Sequence, residues 1–140
     1  MNESMRDSIW RRASDICEYC RMPQVYDDLT FEVEHVIARK HGGLTAIENL
    51  ALACFACNAY KGPNIAGLDP ETGSLERLFH PRNDHWAEHF EWRGATLLGK
   101  TAIGRVTIEV LRINLRARLL FRQALIDEGV FPPKSPIVPR

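Results

Sequence analysis

Two cysteine pairs constrain this 140-residue chain more than any other feature. "CEYC" sets Cys17 and Cys20 three positions apart, "CFAC" does the same for Cys54 and Cys57, and residues 21–53 lie between the pairs. Two thiolates at that spacing in a tight turn can share one tetrahedral ion, and two such knuckles close a four-cysteine zinc site. Four thiolates leave no open position for water, so zinc on Cys17, Cys20, Cys54 and Cys57 is expected to be structural, its binding free energy replacing core that a small domain lacks. Two disulfides are the competing reading, disfavoured in a cytoplasmic setting.

That setting follows from what the chain does not carry. No apolar run approaches the roughly 18 residues of a membrane span, and the first residues, "MNESMRDSIWRR", contain acids and no apolar signal segment. A cytoplasmic protein without membrane contact is expected. A hydrophobic content of 45% suffices for one compact domain with a modest core. Net charge is formally zero, which does not suit binding of nucleic acid by bulk electrostatics alone. Acids outnumber bases in residues 1–70 and bases outnumber acids in 71–140. Arg105, Arg112, Arg116, Arg118 and Arg122 face only Glu109 within their stretch, which reads either as a solvated helix face or as a phosphate-contacting one.

Periodicity predicts an opening helix over 4–15, with Ile9, Trp10, Ala13 and Ile16 on one face, delivering the first knuckle. Residues 29–38, "LTFEVEHVIA", alternate as a half-buried strand, and Gly42-Gly43 marks the turn after it. "NLALAC" reads as a second strand, and a helix from Phe55 stops at Gly62-Pro63. Further on, 88–98 predicts a hairpin turning at Arg93-Gly94. Thr101 caps a helix to about 113, weakened by Gly104, and Asn114 caps another that ends at Gly129. His85 and His89 in "HWAEH" are four apart but lack the protease pattern, and are expected to pack with Trp86, Phe90 and Trp92. The tail "VFPPKSPIVPR" reads as extended.

Within the centre of the chain, His35, Asn49 and Asn58, with Glu34 before the first and "CNAYKG" around the last, resemble the HNH endonucleases. "EHVIARKHGG", "ENLALAC" and "CNAYKG" each match local patterns of that family, and the two CxxC knuckles are similar to its zinc-stabilised branch. The specific likeness covers 17–63. More loosely, "LFHPRNDHWAEHFEW" and "TAIGRVTIEVLRIN" are similar to the C-terminal extension of small bacterial members. The resemblance implies an α+β fold with a ββα-metal (His-Me finger) core. One domain, 1–140, would then comprise an N-terminal helix (1–16), the HNH core with its zinc knuckles (17–63) and a mostly helical C-terminal extension (64–140).

It also implies metal-dependent hydrolysis of phosphodiester bonds in nucleic acid, DNA foremost. A phosphodiester is anionic and has a poor alkoxide leaving group, so the site needs a Lewis acid and a base for water. His35 suits the base, Glu34 and Asn58 offer oxygen ligands to a divalent ion, and Asn49 would brace the loop and orient His35 without binding metal. Where many members have a third histidine this chain has Asn58, an HNN variant. One carboxylate with one amide oxygen is a hard, incomplete donor set that favours Mg2+ or Mn2+ with retained waters over Zn2+ or Ni2+. Strict alternation sends Glu34 and His35 to opposite faces, so a bulge or sharp strand end is expected to turn both toward one substrate. Arg39, Lys40 and His41 in the basic turn, and Lys61 at the helix end, are expected phosphate contacts. The alternative functions are a non-catalytic zinc-stabilised module that binds nucleic acid and a protein-interaction domain organised by the same zinc.

Overall fold

The computed structural model describes residues 1–134, so the expectation for the proline-rich tail falls partly outside the described residues. Helix α1 spans Glu3–Ala13. The Asn2 side chain accepts from the Met5 amide, Glu3 lies in the first turn and Arg11 and Arg12 in the last, so cap and charges match the helix dipole. Ser14, at φ 56°, stops it and returns its N–H to the Arg11 carbonyl. Ile9 anchors the helix with no exposed surface, and the chain passes directly into the first cysteine pair.

Strand β1 is shorter than the alternating run predicts: only Glu32–His35 pair, antiparallel, with β2, Leu50–Ala53. Every residue of β2 is buried, which is why it reads as an unbroken apolar string. Helix α2, Phe55–Lys61, follows at once, with the thiol of Cys54 as its N-cap accepting from the Cys57 amide. Gly62 closes it and Pro63 prevents its continuation. Hairpin and helix are therefore consecutive, with no residue between them except the cap.

Beyond α2 the chain is less helical than expected. A hairpin that the sequence reading missed joins β3, Ala66–Leu68, to β4, Leu75–Arg77. The one-turn helix α3, Trp86–His89, leads into the predicted hairpin of β5, Phe90–Arg93, and β6, Thr96–Gly99. Helix α4, Ala102–Val110, starts where Thr101 accepts from the Gly104 amide. Gly104 does not weaken this helix for nothing: a Cβ there would lie 2.1 Å from the His89 carbonyl oxygen, so glycine is what lets α4 approach the end of α3. His89 bonds Thr101 through Nδ1 at 2.6 Å and packs against Phe79 and Phe90, a packing role as expected. Helix α5 is Arg116–Asp127, capped not by Asn114 but preceded by Leu115. Asn114 instead clamps β6, accepting from the Leu97 amide and donating to its carbonyl.

The core is continuous from the hairpin to the C-terminal half. Tyr19 and Phe79 meet edge to face, Phe79 meets Phe90 in the same way at 5.2 Å, and the Trp86 indole donates to the Tyr19 carbonyl at 2.8 Å. Arg122 lies within this interior at 1% exposure, under Trp92. Its guanidinium donates to the carbonyls of Ala95 and Ile113 and to the Asn114 amide oxygen, and burial lowers its pKa to about 10. Replacing Arg122 with Met should leave the buried Ile113 carbonyl and the half-buried Ala95 carbonyl without this donor and lower stability by about 2–4 kcal/mol, as measured by chemical denaturation.

Candidate functional site

The four cysteines converge. Their sulfurs all lie within 4.8 Å of one another, every one of the residues is buried, and Cys20 Sγ is 3.7 Å from Cys54 Sγ. A tetrahedral ion with metal–sulfur bonds of about 2.3 Å separates its sulfurs by about 3.8 Å, so the donor set can hold one metal ion and is consistent with zinc. Hydrogen bonds from Cys17, Cys54 and Cys57 hold the Cys20 thiol well below the usual thiol range, while burial pushes Cys17 up. Arg118 of α5 donates to Cys57 Sγ at 3.0 Å. Burial alone would lower its pKa, but the cysteine sulfurs raise it above the ordinary arginine value.

Glu34 and His35 part company. All four residues of β1 pair in regular register, Glu34 with Ala51 and His35 with Leu50, and the ladder continues where the Val36 amide donates to the Asn49 carbonyl at 2.8 Å. The expected bulge is absent from this stretch, and alternation sends the two side chains to opposite faces. Glu34 points inward, where its oxygens are taken by the Tyr19 hydroxyl and by the Lys61 ammonium at 2.9 Å. Burial raises its pKa, opposed by Lys61 and by the hydrogen bond from Tyr19. Burial also pushes the Tyr19 phenol up, keeping it a donor.

Lys61 differs most from expectation. Only 1% of it is exposed, and besides Glu34 its ammonium donates to the carbonyls of His35 and Val36 at 3.1 and 2.9 Å. It faces the interior because Glu34 and two strand-end carbonyls need a donor there, so it offers nothing to a phosphate in this arrangement. Arg39, Lys40 and His41, by contrast, form an exposed 3-10 turn beside the strand end.

His35 is half-buried, with Nε2 2.8 Å from the Thr45 hydroxyl. Burial, and then the positive charges of Arg39 and Lys61, lower its pKa from the ordinary histidine value. Thr45 was invisible in the sequence as a partner, since it stands in a loop with no periodicity to place it. That loop is pinned from Asn49, whose amide accepts from Ile37 N and donates to the carbonyls of Ile37 and Leu44, all at 2.9 or 3.0 Å. Gly43 completes the closure: a Cβ there would fall 1.7 Å from the Ile37 oxygen. Arg12 of α1 supports the same loop from below, donating to the carbonyls of Ile47 and Leu50 on either side of Asn49.

Asn58, on α2, is half-buried, and its side-chain amide has no hydrogen bond among the described residues. It lies one turn before Lys61, hence on the helix face that meets the end of β1. Of the arginine-rich stretch, Arg105 pairs with Asp69 and Glu71, Arg118 and Arg122 turn inward, and Arg112 and Arg116 stay exposed, with Arg112 over the Tyr60 ring. The stretch is thus not one charged face. No helix among the described residues is long and apolar enough to cross a membrane.

The Septu protein PtuB of Bacillus thuringiensis is 27% identical to the chain over 112 residues. The match takes in 79% of this chain but 41% of PtuB, so the chain spans less than half of that relative. No solved structure matches it. Residues 17–64 match the family model described as HNH endonuclease, and they begin at the first cysteine and run past Asn58 and Lys61. The segment that carries both cysteine knuckles, the β1–β2 hairpin and α2 is therefore a domain of the HNH endonuclease family.

Proposed function

We propose that the chain is a nuclease of the HNH type that hydrolyses phosphodiester bonds in nucleic acid, with DNA as the first substrate to test and β1, β2 and α2 forming the ββα-metal core. The observation that carries the reading is the position of His35. It stands on the accessible face of a strand end, with a lowered pKa, in contact with a threonine whose loop is closed by Asn49. A binding module has no need of a neutral imidazole held in this way.

If Nε2–H donates to Thr45 Oγ1, Nδ1 carries the lone pair and takes the proton from the attacking water. Asn49 acts at one remove, by fixing the loop that holds Thr45. Arg39, Lys40 and His41 offer an exposed basic edge to the phosphate backbone, and Lys61 is better read as a structural partner of Glu34. The four cysteines hold zinc as a structural ion, consistent with donors that leave no open position.

A catalytic Mg2+ or Mn2+ fits the donors only in part. The free amide oxygen of Asn58 is a suitable hard ligand, whereas Glu34 is already engaged by Lys61 and Tyr19. Held at Asn58 and completed by water and substrate oxygens, the ion would supply Lewis-acid stabilisation of the phosphate and leaving oxygen. This chain's own residues supply the base, its orientation and the basic edge.

A plasmid-nicking assay tests the reading directly. His35→Ala should lower the rate about 100- to 10,000-fold. Neutral imidazole is the active form, so activity should fall as pH drops through the folded pKa, and that acid limb should lie below the ordinary value of about 6.5. Wild-type protein inactive on single-stranded DNA, duplex DNA and RNA with either ion, yet still binding nucleic acid, would mean that the scaffold binds without cutting.

The metal requirement gives a second test. Activity should be abolished by EDTA and restored by Mg2+ or Mn2+. Glu34→Gln should cost about 3 kcal/mol of stability by stranding the buried Lys61 ammonium. At a temperature where it remains folded, its half-saturating Mg2+ concentration should match the wild type. A large rise in that concentration would instead make Glu34 a direct ligand.

A further inference from the structure

Outside the cysteine motif, one side chain from the far end of the chain reaches the sulfur cluster. Arg118 on α5 lies 61 residues beyond Cys57, and its Nη2 is 3.0 Å from Cys57 Sγ and 3.9 Å from Cys54 Sγ. Its Nη1 donates at 2.8 Å to the Leu111 carbonyl and at 3.3 Å to the Arg112 carbonyl, at the end of α4. One planar guanidinium thus serves two sulfurs on one edge and two backbone oxygens on the other, a division that an ammonium on a flexible stem reproduces poorly.

Charge explains why such a contact matters. Zinc on four thiolates carries a net charge of about −2, and all four cysteines are buried, so the excess is poorly screened by water. A guanidinium in contact halves that excess and orients the Cys57 and Cys54 sulfurs by hydrogen bonding, as outer partners of metal ligands commonly do. We propose that Arg118 is a positioning residue of the metal centre, compensating its thiolate charge and thereby coupling metal retention to the docking of α5 against the core. The proposal rests on reading the cluster as a zinc site. Coupling is reciprocal: what α5 gives the metal through Arg118, the metal returns to α5.

The experiment uses the full chain, purified with its metal, and follows zinc release to an excess of a chromogenic chelator. Arg118→Gln should release zinc about 10- to 100-fold faster, and Arg118→Lys should fall between it and the wild type. Arg77→Ala, whose lost bonds are those to Asp84 and the Leu78 carbonyl, should stay within about threefold of the wild type. Hydrogen exchange on the wild type needs no variant, and the amides of α5 should lose protection when zinc is removed. Release from Arg118→Gln within about twofold of the wild type overturns the proposal. So does equal acceleration by Arg77→Ala, or unchanged α5 protection after metal removal. A wild type purified without bound zinc overturns the zinc reading itself, which separates that failure from the failure of Arg118.

Discussion

Four buried thiols that approach within bonding reach of one ion set the frame for everything else in this chain. One pair follows α1 and the other opens α2, so their convergence fixes where the hairpin between them begins and ends. Cys54 illustrates the economy of the arrangement: its sulfur caps α2 and belongs to the cluster, so the helix cap and a donor able to hold a metal ion are one atom. Thiols this crowded are poorly placed without a cation, because deprotonating more than one leaves like charges in contact. A bound ion turns that repulsion into attraction and makes hairpin and helix one rigid unit.

On that unit, one step of strand alternation sends two adjacent residues into different environments. Glu34 goes inward with Lys61 and Tyr19, while His35 goes outward to Thr45. A carboxylate without partners would be costly at that depth, and so would the ammonium, so each justifies the other. The pair is useful beyond mutual neutralisation. Because Lys61 also bonds the carbonyls of His35 and Val36, the last turn of α2 is tied to the backbone that carries the imidazole. Its charge also contributes to the lowered pKa of His35, after burial, Arg39 and the N-terminal amine.

The elements legible in the sequence were those governed by local rules. CxxC spacing located the sulfur cluster, the glycine–proline pair located the end of α2, and Thr101 located the start of α4. The β3–β4 hairpin was missed because its strands are three residues long on either side of the loop 69–74, so neither alternation nor length marks them. Asn114 was misread for a related reason. Asparagine before a helix suggests a cap, but its amide matched both polar groups of Leu97, a long-range pairing that no local pattern encodes. The pairing of Lys61 with Glu34 has no local signature, since a lysine at a helix end and a glutamate on a strand look solvent-facing unless each is known to face the other.

The arginines make the same point about charge read along a line. Their stretch looked like a single basic face, yet its members do different things because the chain turns between them. At Arg112 the backbone enters the left-handed region, φ 49°, separating α4 from α5 and breaking the helical phase. Arg105 before the break meets Asp69, whereas Arg118 and Arg122 after it turn toward sulfur and buried carbonyls. What remains exposed of that stretch, Arg112 and Arg116, is a modest electrostatic surface, in keeping with a formal net charge of zero. The exposed turn Arg39–His41 stands next to His35 in the chain, so under the proposed function a charge that draws a phosphate would lie beside the base that acts on it.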